Sequence, residues 1–372
     1  MTAKKLMIFG SYAPSLVTFR GDFIAAAVAS GHEVLAVAPN IDGWTSDEIR
    51  RLGASTAELR VENQSLNPLG IITAVRDLRR LIREHRPDVL LAYTIKPVVT
   101  GALAGSLEGV PRIVSVITGA GYAFTGGREL KRCISRLAAN ALYRMAFGRS
   151  DAIVFQNGDD EALFRRLGIV NSRQNVRRIN GSGVNLSRFA IAPQPEAIGF
   201  LMIARLLKDK GVREYAAAAR QLKKVHPEVA VRLAGYIDPS PDSITPVQVQ
   251  EMIDGGIEFL GRLDDVRPAI ANCSVYVLPS YREGTPRSVL EAMAMGRAIV
   301  TKDAPGCRET VVDGRNGFLV PARDWRRLHE AMSRFAEDPA LAAAMGAESR
   351  KIAVDKYDVN RVNADLLEIA GL

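Results

Sequence analysis

The chain has 372 residues, a length that predicts two domains, and its 47% hydrophobic and 24% charged content excludes an intrinsically disordered protein. The positive charge is confined to the first half. Residues 1–190 contain 25 Lys and Arg against 16 Asp and Glu, whereas residues 191–372 contain 24 against 25. A basic half indicates an anionic partner, and nucleic acid, an acidic lipid surface and a purely solubilising role all stay open.

In the first half, short β-branched runs alternate with helical patterns. The predicted strands are Lys5–Phe9, Glu33–Ala38, Val89–Ala92, Ile113–Val116 and Ala152–Phe155. Between them, Phe19–Ala29 and Leu69–Glu84 have helical periodicity. Alternation of apolar strands with helices predicts an α/β fold with a doubly wound parallel sheet.

A second series of strands begins after the loop around Pro193 and Pro195. Its predicted strands are Gly199–Ile203, Ala230–Ala234, Ile257–Leu260, Val275–Leu278 and Ala298–Thr301. We therefore predict two Rossmann-like domains, 1–190 and 191–354, with residues 355–372 forming a helix that joins the first domain. Ligands of such sheets bind beyond the carboxyl ends of the strands, so we expect a site in a cleft where the two domains face each other.

Several common nucleotide and hydrolase motifs are absent from the sequence. Gly10 and Ser11 follow the first strand, but there is no Gly-x-Gly-x-x-Gly, no Walker lysine motif and no Gly-x-Ser-x-Gly. This disfavours NAD or FAD binding, nucleoside triphosphatases and α/β-hydrolases. For Gly10 and Ser11, a tight turn and a phosphate-contacting loop remain equal alternatives.

Two cations follow the first strand of the second domain. Arg205 and Lys210 lie between Gly199–Ile203 and the next helix, where a diphosphate would sit. A planar guanidinium and a movable ammonium are suited to neutralising a phosphate leaving group. A solvated loop with no ligand is the alternative.

A second segment combines a turn, a helix start and two carboxylates. After the strand Val275–Leu278, the chain continues with Glu283-Gly-Thr-Pro-Arg-Ser-Val-Leu-Glu291. Pro286 suits the first turn of a helix, whose free amides and dipole attract anions. Glu291 lies further along this helix, where it can accept hydrogen bonds from sugar hydroxyls, and Glu283 lies before it. Unrelated capping and surface charges are the alternative.

Together, Arg205-x4-Lys210 and Glu283-x7-Glu291 resemble family 4 of the retaining, nucleotide-sugar-dependent glycosyltransferases with the GT-B fold. The segments Thr94–Pro97, Val154–Asn157, Gly181–Asn185 and Asp303–Thr310 are similar to a bacterial branch that extends sugars on a polyprenyl diphosphate. The resemblance implies transfer of an N-acetylhexosamine or hexose from a UDP-sugar to a polyprenyl-diphosphate-linked saccharide in polysaccharide or glycan assembly.

The resemblance also implies roles for individual residues. Arg205 and Lys210 would bind the donor diphosphate, Glu283 the transferred sugar and Glu291 the ribose. The donor would also contact backbone amides along the turn and helix start, and the loop after the first strand. These positions are Gly284, Thr285, Pro286, Arg287, Ser288 and Val289, with Gly10 and Ser11 from the other domain. No Asp-x-Asp motif occurs, so we expect no metal and no cofactor beyond the UDP-sugar substrate.

One departure from the family concerns the acceptor side. Many members place a histidine in the first domain, whereas this chain reads Ser-Val-Ile-Thr-Gly-Ala-Gly-Tyr at 115–122. Thr118 and Gly119 in this stretch are acceptor-side candidates. Lys96 is the candidate acceptor-side cation, with an ordinary surface lysine as the alternative.

Two other classes compete with this interpretation. A UDP-N-acetylglucosamine 2-epimerase shares the GT-B fold but does not normally combine the two motifs. A non-catalytic nucleic-acid-binding protein would explain the charge, but the basic residues are not interleaved with aromatics, so we expect no nucleic-acid partner.

The sequence also predicts where the enzyme works. No signal peptide and no stretch of about 18 apolar residues is evident, and three scattered cysteines do not suggest a disulfide framework. Segment 128–149 has six basic residues and one acidic residue, with apolar side chains at helical spacing. We expect a cytoplasmic enzyme held peripherally on the anionic inner face of the membrane by this helix, although packing on its own sheet is the alternative.

Overall fold

The computed structural model describes residues 2–59, 68–120, 130–240 and 242–372, and in two helices it describes only the backbone of residues 68–69 and 130–136. The chain divides into two compact units. Unit 1 is Met1–Ser182 together with Val359–Leu372, and unit 2 is Gly183–Asp358. Each unit contains one parallel sheet.

Unit 1 is built on a seven-stranded parallel sheet with strand order β3-β2-β1-β4-β5-β6-β7. Its strands are β1 (Lys5–Phe9), β2 (Glu33–Ala38), β3 (Ser55–Glu58), β4 (Val89–Tyr93), β5 (Arg112–Ile117), β6 (Ala152–Phe155) and β7 (Val176–Arg178). Consecutive residues of the central strands point to opposite faces, and both faces are apolar. The sheet is therefore covered by helices on both sides, as the alternation in the sequence predicts.

The helices of unit 1 form two layers. They are α1 (Pro14–Thr18), α2 (Gly21–Ala29), α3 (Gly43–Arg51), α4 (Pro68–His85), α5 (Ile95–Leu107), α6 (Leu130–Phe147), α7 (Gly158–Arg166) and α14 (Val359–Ala370). Helices α4 to α7 pack on one face of the sheet, and α1 to α3 with α14 pack on the other.

The last helix of the chain returns to unit 1. Val362, Leu366 and Ile369 of α14 are buried in the same apolar cluster as α2. The guanidinium of Arg112 donates to the carbonyl of Ile369 over 2.6 and 3.0 Å. Burial of an apolar stripe and satisfaction of the helix's terminal carbonyls together attach α14 to this sheet.

Unit 2 has a six-stranded parallel sheet with strand order β10-β9-β8-β11-β12-β13. Its strands are β8 (Gly199–Ile203), β9 (Ala230–Ala234), β10 (Glu258–Gly261), β11 (Val275–Leu278), β12 (Ala298–Lys302) and β13 (Gly317–Val320). Its helices are α8 (Val212–Val225), α9 (Pro246–Asp254), α10 (Arg267–Ala271), α11 (Arg287–Ala294), α12 (Trp325–Glu337) and α13 (Pro339–Tyr357). One continuous apolar cluster packs the helices on the sheet.

The units divide a few residues away from the predicted boundaries at 190/191 and 354/355. The amide of Val184 donates to the carbonyl of Tyr357 over 2.8 Å, and Phe189 is buried in the core of unit 2. The segment before the Pro193 loop therefore already packs with unit 2.

Three short strands were not predicted: β3, β7 and β13. All three lie at an edge of their sheet, and β3 (Ser-Thr-Ala-Glu) and β7 (Val-Arg-Arg) are mostly half-exposed or exposed. Strands β3 and β7 have no continuous apolar run, so their sequences carry little signal, whereas β13 (Gly-Phe-Leu-Val) is apolar but only four residues long.

Candidate active site

The carboxyl ends of the central strands of unit 2 carry the predicted catalytic residues. Strand β8 ends at Ile203, and the chain then passes Arg205 and forms a short 3-10 helix, Lys208–Lys210. Gly211 follows with φ of 74°, and a Cβ at this position would lie 2.1 Å from the carbonyl oxygen of Pro279. Only glycine fits, and its absence of a side chain brings the Lys210 turn against the loop that follows β11.

Lys210 and Glu283, which are 73 positions apart in sequence, form an ion pair in this loop region. Lys210 Nζ lies 2.6 Å from Glu283 Oε1, and each side chain is only 16% exposed. The amide of Glu283 donates to the carbonyl of Pro305 over 3.0 Å. Gly306, with φ of 77°, allows this contact because a Cβ there would lie 2.2 Å from the Glu283 carbonyl oxygen. The structure thus brings two predicted catalytic residues together and fixes both backbones.

Arg205 is held differently from Lys210. Its Nη1 donates to Asp238 Oδ2 over 3.1 Å, and its side chain is 50% exposed. Asp238 also accepts a hydrogen bond from the amide of Ser240 over 3.0 Å. An exposed pair of this kind contributes little to stability, so Arg205 remains accessible to an anion.

Helix α11 supplies the predicted anion-binding terminus. It begins at Arg287 after Pro286, and Pro286 as the N-cap residue makes no side-chain capping hydrogen bond. The amide of Val289, however, already donates to the carbonyl of Pro286 over 3.1 Å, and the side chain of Val289 is fully buried. The Val289 amide is therefore already engaged within the turn, and Pro286 has no N–H to donate, so neither residue can offer the donor a backbone amide as predicted.

Glu291 lies one turn inside α11 and is nearly buried, with 9% of its surface exposed. Its Oε1 accepts a hydrogen bond from Arg287 Nε over 2.9 Å. Burial raises the pKa of Glu291, and the Arg287 guanidinium opposes this rise.

The sequence analysis did not identify Tyr281 and Asp209, which support the ion pair. The Tyr281 ring has Lys302 Nζ 5.2 Å and Arg323 Cζ 5.3 Å from its centroid, and its hydroxyl donates to Glu214. The amide of Tyr281 donates to the carbonyl of Asp209 over 2.8 Å. These contacts tie the Glu283 loop to the Lys210 turn, and a tyrosine two residues before Glu283 is the only sequence signal for them.

Asp209 adds a second carboxylate next to the pair. Its Oδ1 is buried and makes no hydrogen bond within the described residues. Burial raises the pKa of Asp209, Lys210 lowers it, and Glu283 raises it further. Asp209 is therefore influenced by the charges of Lys210 and Glu283 and also by those of Arg205 and Asp242.

In unit 1, Gly10 and Ser11 lie at the carboxyl end of β1. The amide of Gly10 donates to the carbonyl of Val37 over 3.0 Å, and a Cβ at Gly10 would lie 2.3 Å from the Tyr93 hydroxyl oxygen. Ser11 Oγ lies 3.0 Å from Thr94 Oγ1. Close packing against β4 explains the glycine, and the phosphate-contacting role of both residues stays a prediction.

The acceptor-side candidates lie at the ends of neighbouring strands of the same sheet. Lys96 is the second residue of α5, directly after β4, and Thr118 and Gly119 follow β5. All three are half-buried, and burial lowers the pKa of Lys96. The last two residues of the glycine-rich stretch, Gly121 and Tyr122, lie outside the described residues.

Two further observations concern metals and membranes. Across the described ranges, no three His, Cys, Asp or Glu side chains are grouped as ligands of a metal ion. Across the same ranges, no helix is both long enough and apolar enough to span a bilayer. Metal independence stays a prediction.

Comparison with known families agrees with this geometry. Residues 17–181 match the model described as "Glycosyl transferase 4-like domain", and residues 185–352 match "Glycosyl transferases group 1". Two parallel-sheet Rossmann-like units with these matches define a GT-B glycosyltransferase.

The matched relatives narrow this class. The chain is 28% identical, over 95% of both chains, to the N,N'-diacetylbacillosaminyl-diphospho-undecaprenol alpha-1,3-N-acetylgalactosaminyltransferase of Campylobacter jejuni. It is 22% identical, over 73% of both, to the UDP-Gal:alpha-D-GlcNAc-diphosphoundecaprenol alpha-1,3-galactosyltransferase of Escherichia coli. The chain belongs to family 4 of the GT-B glycosyltransferases, as the motifs predict, and it is a sugar-transferring enzyme.

Solved structures share the fold. Sucrose-phosphate synthase from Thermosynechococcus elongatus has a TM-score of 0.82 at 17% identity and covers 98% of each chain. Anabaena HepE in complex with UDP and glucose has a TM-score of 0.79 at 19% identity, over 99% of this chain and all of the other. The predicted fold class is confirmed.

Proposed function

We propose that this enzyme transfers an N-acetylhexosamine or hexose from a UDP-sugar to a polyprenyl-diphosphate-linked saccharide, with retention of the anomeric configuration. The observation that carries the reaction is the Lys210–Glu283 ion pair at 2.6 Å, in the loop that leads into α11. The activities of the Campylobacter jejuni and Escherichia coli relatives support the acceptor class, because both act on undecaprenyl-diphosphate-linked sugars.

In the proposed reaction, the bond between the anomeric carbon and the diphosphate oxygen breaks. The acceptor hydroxyl forms its new bond to the same face of the sugar, and its proton passes to the leaving phosphate. Lys210, Arg205 and the α11 amides stabilise the charge on the departing diphosphate. Preorganised donors of this type are worth most where charge develops in the transition state, so no protein nucleophile is required.

A panel of donors tests this proposal. Thermal unfolding is measured with UDP-, GDP- and ADP-sugars, and we expect UDP-sugars to raise the unfolding temperature by several degrees at saturating concentration, because binding to the native state adds its free energy to stability. The stabilising UDP-sugar should then be consumed when a polyprenyl-diphosphate-linked saccharide is added. Stabilisation by GDP- or ADP-sugars alone would refute the UDP assignment, and epimerisation without acceptor would favour the epimerase alternative.

We also propose that unit 1 rests on the anionic inner face of the membrane, which would bring the enzyme to its lipid-linked acceptor. The excess of basic residues in 1–190 supports this. On α6, Ala139, Tyr143 and Phe147 are buried, the last two in the apolar cluster of the sheet, whereas Leu137 is 69% exposed. Part of the predicted apolar stripe thus faces away from the core, although residues 128–129 and the side chains of 130–136 lie outside the described part.

Flotation with liposomes tests the membrane proposal. We expect binding to vesicles rich in anionic lipid at low salt, loss of binding at high salt, and weaker binding of Leu137→Glu because a charge replaces an inserting apolar side chain. Val225→Glu is the matched control, since Val225 is 66% exposed on unit 2. Equal flotation of both variants would contradict the role of α6.

A further inference from the structure

Helix α11 contains an ion pair whose position is unusual for a helix. Arg287 is its first residue and Glu291 lies four residues later, with Nε and Oε1 2.9 Å apart. Both side chains are largely shielded, at 18% and 12% exposure. The pair is therefore held in one geometry.

Helix stability does not account for this pair. A cation in the first turn opposes the helix dipole, and an acidic residue four positions after a basic one is the weaker of the two orientations. What the pair does is hold the Glu291 carboxylate from the start of the same helix.

The ionisable neighbours of Glu291 are two arginines and one buried tyrosine. Arg287 on α11 and Arg188, in the segment before β8, both lower the pKa of Glu291 against the effect of burial. On β11, Tyr276 is buried close enough for the Glu291 charge to contribute to its raised pKa. Of the two arginines, Arg287 lowers the pKa of Glu291 more. Among the described residues, it is also the one that is hydrogen-bonded to the carboxylate.

We propose that Arg287 is a positioning residue for nucleotide binding. Its side chain fixes the Glu291 carboxylate through Oε1, so that Oε2, which has no hydrogen bond to a described residue, accepts from the ribose hydroxyls. This inference rests on the proposed function, in which Glu291 binds the ribose. For Arg287, the sequence predicted a contact between its backbone and the donor. The inference adds a role for its side chain.

The role predicts a pH dependence. An ionised carboxylate can accept from two hydroxyls, whereas a protonated one loses acceptor capacity. Without Arg287, burial is opposed only by Arg188, so Glu291 takes up a proton at higher pH. Nucleotide affinity should then fall at a pH where the wild-type enzyme still binds fully.

Calorimetric titration with UDP between pH 5.5 and 8 tests this, with GDP and ADP as parallel probes. We expect Arg287→Gln to bind UDP about tenfold more weakly near pH 6 than wild type, with a smaller difference at pH 8. Arg287→Lys should restore part of the affinity at low pH. Arg267→Gln is the matched control, because Arg267 also begins a helix and pairs with an acid, Asp265, but is exposed.

The outcomes separate the two proposals. Wild-type affinity and pH profile in Arg287→Gln would overturn the inference and leave the proposed function intact. A loss of affinity equal at every pH would also overturn it, because it would indicate direct phosphate contact instead of action through Glu291. Failure of the wild-type enzyme to bind any of the three nucleotides would overturn the proposed function itself.

Discussion

Replacing Lys210 with alanine should lower kcat/KM by about 10²- to 10³-fold, because removal of one preorganised charge-stabilising group at a reaction centre has this typical cost. The ammonium is 2.6 Å from Glu283 and only 16% exposed, so it is fixed before the donor arrives. The variant should also bind UDP more weakly, since the lost cation faces the diphosphate in our account. Steady-state kinetics and UDP titration measure the two effects.

Lys208→Ala is the control for this variant. Lys208 lies in the same 3-10 helix, two residues from Lys210, and no salt bridge to it is present within the described ranges. We expect it to keep most of the wild-type activity. A Lys210→Ala enzyme with wild-type kcat and UDP affinity would show that the diphosphate lies elsewhere.

Replacing Glu283 with alanine should reduce kcat by about 10²-fold, because it removes a charged acceptor for the transferred sugar and frees Lys210 from its partner. UDP contains no transferred sugar, so its affinity should change much less than in Lys210→Ala. This difference between UDP and UDP-sugar distinguishes the two members of the pair. The measurements are kcat, KM and UDP affinity for each variant.

Glu228→Ala, at an exposed carboxylate of unit 2, is the control for Glu283→Ala. Because the two members of the pair contact each other, the Lys210→Ala/Glu283→Ala double variant should lose less than the product of the single losses. Full independence of the two losses would contradict the ion pair as a functional unit.

The central strands could be predicted from the sequence because buried parallel strands are continuously apolar. The positions of Glu283 and Glu291 next to the start of a helix could be predicted because both residues lie within one short segment. Strand β7, with the sequence Val-Arg-Arg, could not, because an edge strand needs no apolar run. The second unit extends beyond the predicted domain at both ends, because Val184 is hydrogen-bonded to Tyr357. A contact between residues so far apart in the chain leaves no local pattern in the sequence.

For the site, the spacing of residues predicted roles for Glu283 and Glu291 but not the long-range contacts that hold the site together. The Lys210–Glu283 contact joins two strand ends, and the Tyr281 contacts with Lys302 and Glu214 join three separate elements. Only the Arg287–Glu291 pair was visible in principle, since four residues on a helix place two side chains on one face. The close approach of Gly306 to the backbone of Glu283 could be recognised only in the folded structure, because the two loops are distant in sequence.

A structure of the enzyme with an intact UDP-sugar would test the central claim most directly. We predict that the diphosphate oxygens lie within hydrogen-bond distance of Lys210 Nζ and of the first amides of α11, with a hydroxyl of the transferred sugar on Glu283. A diphosphate bound away from both the ammonium and the helix start would contradict the account.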